Sequence, residues 1–379
     1  MTSHSPHTSG DVDSSGVHSE APALEETSAR RDTAASTETR KVEAPEGHQV
    51  PQQTQRRDAL ARWDVWWFRP EIPDTVRLIR ICLGVVVLCW ALSLGPDLRA
   101  FFSSSGLAPD PGFASYRLSP MRWFPSDTAM YVMFGLLILS SLLVTAGWWV
   151  RVTAPVMWFL VLGFELDNVA LLNSGDTLLR VLTALFALYA ALTPESVVGG
   201  NAPWPRRSAV SGGAALQNSR PETQVWLATP WLRRLFGIQL SVIYLSGVIA
   251  KFAGETWLDG TAALWAVRNV PLERFAMPGV LADSLWFGNV ATFATLTLEV
   301  AIPILIWFPR WRRPLMVLGI SMHLFFGLFL MVGFFSWVMA ICYLGHLQPG
   351  EAHAFFAWVR RVLGSRRSGR GASADATAA

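Results

Sequence analysis

Tyr244, Gly247 and Lys251 are spaced i, i+3 and i+7, which sets them on one face of a helix. The chain has only two lysines, and Lys41 lies in a polar N-terminal stretch, so Lys251 is the single lysine of the apolar part. A lysine can lose its charge when desolvated; an arginine in practice cannot. The position suits a neutral amine base, and it equally suits a cation that snorkels to water from a helix end. Gly247 leaves room for a neighbour or ligand beside the amine. Just beyond, Trp257-Leu258-Asp259-Gly260 forms an interfacial turn, and Asp176 or Asp259 is the expected counter-charge for Lys251.

Two further groups lie deep in apolar runs. Glu299 and His323 each sit about ten residues into a run, or about 15 Å at 1.5 Å per residue. A charge at that depth costs at least about 2.5 kcal/mol, so both should face the interior of a bundle, close together. A third cluster is the turn Leu172-Asn173-Ser174-Gly175-Asp176 with Arg180 following. Asp176 and Arg180, spaced i and i+4, can pair as a structural clamp or serve as ligand contacts. Asp167 and Asn168 add polarity at the same level. No phosphate loop, zinc-ligand spacing or nucleophile elbow occurs. Cys82, Cys89 and Cys342 all lie in apolar runs, so neither a disulfide framework nor a metal site is expected.

The elements that position these groups are membrane spans. The chain is 51% hydrophobic and 16% charged, against about 25% charged for soluble domains. Crossing a bilayer takes roughly 20 apolar residues in a helix. Such runs occur near 77–96, 128–147, 152–171, 177–193, 235–253, 288–308 and 314–331, with a shorter one at 333–347. The last two are one long helix or a tight hairpin breaking near Gly333. Lys and Arg concentrate in cytoplasmic loops. Eight spans with both termini cytoplasmic place the arginines of 56–77, 206–234, 310–313 and 360–370 on one side; seven would strand the basic C-terminus outside. The expected fold is therefore all-α, a polytopic membrane bundle of about eight helices. Residues 1–60, polar and without aromatics, form a disordered tail; 61–348 the membrane domain; 349–379 a basic cytoplasmic tail. The outer loop 254–287 is partly apolar and lies on or folds back into the membrane, and the inner loop 194–230 reads as a flexible linker. A net charge of +3 without a basic stripe gives no sign of nucleic-acid binding.

Three stretches carry a resemblance: Tyr244 to Lys251 with the Trp257–Gly260 turn, His323 with Gly333-Phe334-Phe335-Ser336-Trp337-Val338-Met339, and Asn173 to Asp176 with Arg180. Together, over about residues 70–347, they resemble the vitamin K-dependent γ-carboxylases and their bacterial relatives, the HTTM (horizontally transferred transmembrane domain) proteins. The resemblance implies a base at Lys251, which deprotonates reduced vitamin K so that oxygen and then carbon dioxide can react. His323 and Glu299 are the further catalytic candidates, and Tyr244, Gly247, Asn173, Asp176, Arg180 and Trp257 the cofactor-binding ones. It also implies a reduced quinone (menaquinone or vitamin K hydroquinone) as cofactor, a bacterial inner membrane as location, and a secreted peptide or protein as substrate. Ser174 and Gly175 stand where the carboxylases carry an Asn–His pair. A non-enzymatic factor for peptide maturation or export, and a transporter using Glu299, His323 and Arg180, are the alternatives.

Overall fold

The computed structural model describes residues 52–103, 105–107, 119–168, 171–199 and 227–375, with side chains from 60 to 362. Most of the linker expected over 194–230 and most of the tail expected over 1–60 lie outside these residues. Among the described residues the fold is all-α; two isolated bridges, Glu71 to Ala228 and Glu273 to Leu330, are the extended pairings.

Eleven helices matter here: α1 (Gln52–Phe68), α2 (Asp74–Leu94), α3 (Asp127–Ala146), α4 (Val150–Asp167), α5 (Ser174–Leu192), α6 (Trp231–Phe252), α7 (Ala262–Arg268), α8 (Leu285–Leu305), α9 (Pro309–Phe329), α10 (Phe335–Tyr343) and α11 (Pro349–Asp375). Among the described residues, five stretches are long and apolar enough to cross a membrane: Asp74–Phe102, Asp127–Ala146, Ser174–Leu192, Trp231–Phe252 and Leu285–Leu305. Large side chains such as Ile249, Val317, Leu188 and Val132 stay exposed on the outer faces. A soluble bundle would bury them; hydrocarbon does not require it. The inner faces pack a core that includes Leu83, Leu179, Leu182, Phe186, Phe236 and Leu240.

The two last apolar runs form separate helices. α9 ends at Phe329 and α10 starts at Phe335, and Gly333 between them adopts φ +58°, which an L side chain enters only with strain. The loop expected on the membrane carries α7, which packs on α8, and the Met331 amide donates to the Leu272 carbonyl at 2.7 Å.

Helices occupy both ends of the described chain. Residues 52–60, assigned to the tail, belong to α1. The basic tail from 349 is helical, and its first turns dock on α2. His353 Nδ1 lies 2.9 Å from Asp74 Oδ2, and Ala352 is fully buried. Glu351 accepts from the Gln348 amide at 2.8 Å and pairs with Arg313 at 2.7 Å and Arg312 at 3.5 Å. Asp74, Arg312 and Arg313 are distant in sequence from the residues they hold, so composition alone gave no sign of these pairings.

Partial burial would push the Glu351 carboxyl up, but the Gln348 amide and the two arginines outweigh it and hold it below the usual carboxylate range. A lowered acid stabilises the docked state above its ordinary value, and that contribution disappears as pH falls through the lowered one. Hydrogen exchange of 352–362, corrected for intrinsic rates, is expected to stay slow from neutral pH downward and then rise in acid. The Glu351→Gln variant should show the faster exchange already at neutral pH, by about 0.5–1 kcal/mol given the exposure of Arg313. Identical protection in both proteins would show that the carboxylate does not dock α11.

Candidate functional site

Lys251 stands in the last turn of α6, with its ammonium nitrogen 2.6 Å from Oε2 of Glu299 on α8. The Lys251 side chain is 23% exposed and the Glu299 side chain 7%. The ammonium also lies 5.0 Å from the Trp257 ring centroid, within the range of cation–π attraction. Tyr244, two turns earlier on the same face of α6, is buried. Its hydroxyl lies 2.7 Å from His323 Nε2 on α9 and 2.6 Å from the Tyr343 hydroxyl on α10. Two proton arrangements satisfy this chain. Either Tyr343 donates to Tyr244 and Tyr244 to His323, or the ring donates to Tyr244 and Tyr244 to Tyr343. His323 Nδ1 has no hydrogen-bond partner among the described residues.

All these groups except Tyr343 face one cavity of about 260 Å³, otherwise walled mainly by apolar side chains. Tyr244, Gly247, Lys251, Trp257, Glu299 and His323 therefore line one cavity together. A methyl group on Gly247 would lie 3.5 Å from the Lys251 nitrogen, so the glycine keeps open the space beside the amine. Glu299 and His323 are both buried and share the cavity, but no hydrogen bond joins them; Glu299 takes Lys251 and His323 takes Tyr244. The counter-charge of Lys251 is thus Glu299, neither Asp176 nor Asp259. Asp259 is exposed and accepts from the Thr261 hydroxyl and amide, which hold its carboxyl below the usual range.

Asn173, Asp176 and Arg180 do not line this cavity. Asn173 and Asp176 close a reciprocal capping box at the start of α5, and Asp176 also accepts from the Trp90 indole at 3.1 Å. The expected Asp176–Arg180 clamp gives way to an ion pair between Arg180 and Glu165 of α4 at 3.3 Å. Asp176 has its acceptors occupied, and a side chain on α4 reaches Arg180 across the helix interface. The turn acts on the site at one remove. A methyl on Gly333 would lie 2.9 Å from Asn173 Nδ2, and one on Gly175 would lie 2.6 Å from the Phe335 amide nitrogen. Phe335 in turn meets the His323 ring edge-on at 5.4 Å. The α5 cap therefore seats the α9–α10 turn, and the turn seats a wall of the cavity.

Sequence reading missed Tyr343 and Glu165. Tyr343 was legible as a hydroxyl in an apolar run, one of only five tyrosines. Its hydroxyl presses on Gly319 of α9 so closely that no side chain larger than hydrogen fits there.

The family model of the HTTM domain matches residues 68–349. An uncharacterised protein of Bacillus subtilis (strain 168), YitO, is 22% identical over 329 residues, spanning 83% of this chain and 97% of that one. No solved structure matches. The matched stretch contains every residue of the cavity and every helix that builds it, and the chain belongs to the HTTM-domain family.

Proposed function

We propose that the protein is a membrane enzyme that takes a proton from the hydroxyl of a reduced quinone, with Lys251 as the acceptor. The observation that carries this reading is the 2.6 Å Lys251–Glu299 pair set into the wall of an apolar cavity beside an indole ring. The pair holds one proton, and placing it on either partner leaves the pair without net charge. With the proton on Glu299, Lys251 presents a neutral amine that can receive another from an acidic hydroxyl. Apolar walls and the Trp257 ring suit a flat aromatic ligand, and His323 Nδ1 offers a polar contact away from the pair. A bound quinol would supply the redox chemistry. The residues bind and orient it, and Lys251 holds its proton. Carboxylation of a secreted peptide belongs to the same proposal, as do eight spans in a cell (inner) membrane with both ends cytoplasmic and the cavity opening outward. The arginine distribution supports that orientation.

The test is the quinone content of the purified protein. Mass spectrometry of a lipid extract is expected to show menaquinone retained near stoichiometrically by the wild type and lost from Tyr244→Ala. Purified protein without quinone, and with no binding of added menaquinone, would remove the reading.

A further inference from the structure

We infer that the Lys251 cavity opens sideways into the bilayer between α8 and α9, and that its ligand carries a long apolar tail that lies in this crevice. The inference rests on the quinol reading above and adds the shape of the ligand and its route.

A second cavity of about 230 Å³ adjoins the first. Ala263, Ala266, Thr295, Phe326 and Leu330 line both, so the two share one wall, in which three of the five side chains are small. The crevice has two banks. On α8, Ala291, Ala294, Thr295 and Leu298 recur at i, i+3, i+4 and i+7, one face built mostly of small groups. On α9, Phe325 and Phe329 stand opposite with ring centroids 4.8 Å apart. Ala294 and Phe325 are exposed, so the crevice reaches the surface that faces lipid. At its inner end, Phe326 adjoins His323, which is 3% exposed and has its unpartnered nitrogen.

The chemistry of these walls selects the occupant. A polar peptide would leave its backbone groups unpaired against such a lining. A hydrocarbon tail loses nothing there, because lipid and this lining are equally apolar. The first cavity, at about 260 Å³, falls below the roughly 300 Å³ at which pockets begin to hold a whole drug-sized ligand. It has room for a ring, with the tail left outside. A second apolar groove along Phe252, Phe293 and Ile304 shares only Trp257 with the cavity, against five residues shared with the crevice.

The test compares menaquinone with menadione, the same ring without the tail, using full-length protein in nanodiscs and measuring the quinone retained after gel filtration. Wild type is expected to bind both. Ala294→Trp fills the crevice and should weaken menaquinone at least about tenfold while leaving menadione unchanged. Ala291→Phe, one turn away, should do the same if Ala294→Trp expresses poorly. Phe293→Trp, on the neighbouring face, should change neither. An equal loss of both probes, no loss of either, or a selective loss in Phe293→Trp alone would overturn the route while leaving the quinol reading in place. If wild type binds neither probe, the quinol reading fails and this inference fails with it.

Discussion

Lys251→Arg is expected to fold like the wild type and to lose quinol-dependent turnover by about a hundredfold or more. Arginine keeps a cation against Glu299, so the buried carboxylate stays paired, but it cannot become a neutral base. Lys251→Met should lose the same activity and also stability. It strands Glu299, whose side chain is 7% exposed, without a counter-charge, at a cost of about 3 kcal/mol. The double variant Lys251→Met, Glu299→Met should recover the melting temperature and not the turnover. The pattern separates the two roles open at this position. A snorkelling anchor predicts that arginine is fully tolerated. Wild-type turnover in Lys251→Arg, measured in proteoliposomes, would end the proton-acceptor assignment and leave a structural or maturation role.

The second large effect lies away from the cavity. Glu165→Leu should destabilise the protein by about 3 kcal/mol, because Arg180 would remain in the α4–α5 interface without its carboxylate. Glu165→Leu combined with Arg180→Leu should restore most of the melting temperature, since two apolar side chains can replace the pair. Turnover per folded molecule should stay near the wild-type level in the double variant. If Arg180→Leu instead removed turnover with an unchanged melting temperature, Arg180 would be a ligand contact and its pairing with Glu165 incidental.

Groups on one helix were legible from the sequence, because helical spacing alone decides whether they share a face. Tyr244, Gly247 and Lys251 needed no knowledge of neighbours, and they meet in one cavity. Depth was legible too: residues about ten positions into their runs, Glu299 and His323, had to face inward. Partner choice was not. It depends on how each helix is rotated and tilted, and spacing within one chain segment says nothing of either. Arg180 therefore found Glu165 across an interface rather than Asp176 one turn away, and Lys251 found Glu299 rather than an interfacial aspartate. The docking of α11 escaped for the same reason, since Glu351 and His353 are held by residues of α9 and α2.

The Lys251–Glu299 pair also has an electrical consequence. A lone ammonium placed within the membrane would feel the transmembrane voltage, by up to about 2.3 kcal/mol per 100 mV for a charge carried fully across. Two opposite charges 2.6 Å apart present almost nothing for that field to act on. The field therefore exerts little net force on the paired charges. A proton that left the pair for the water on one side would feel the field as a full charge.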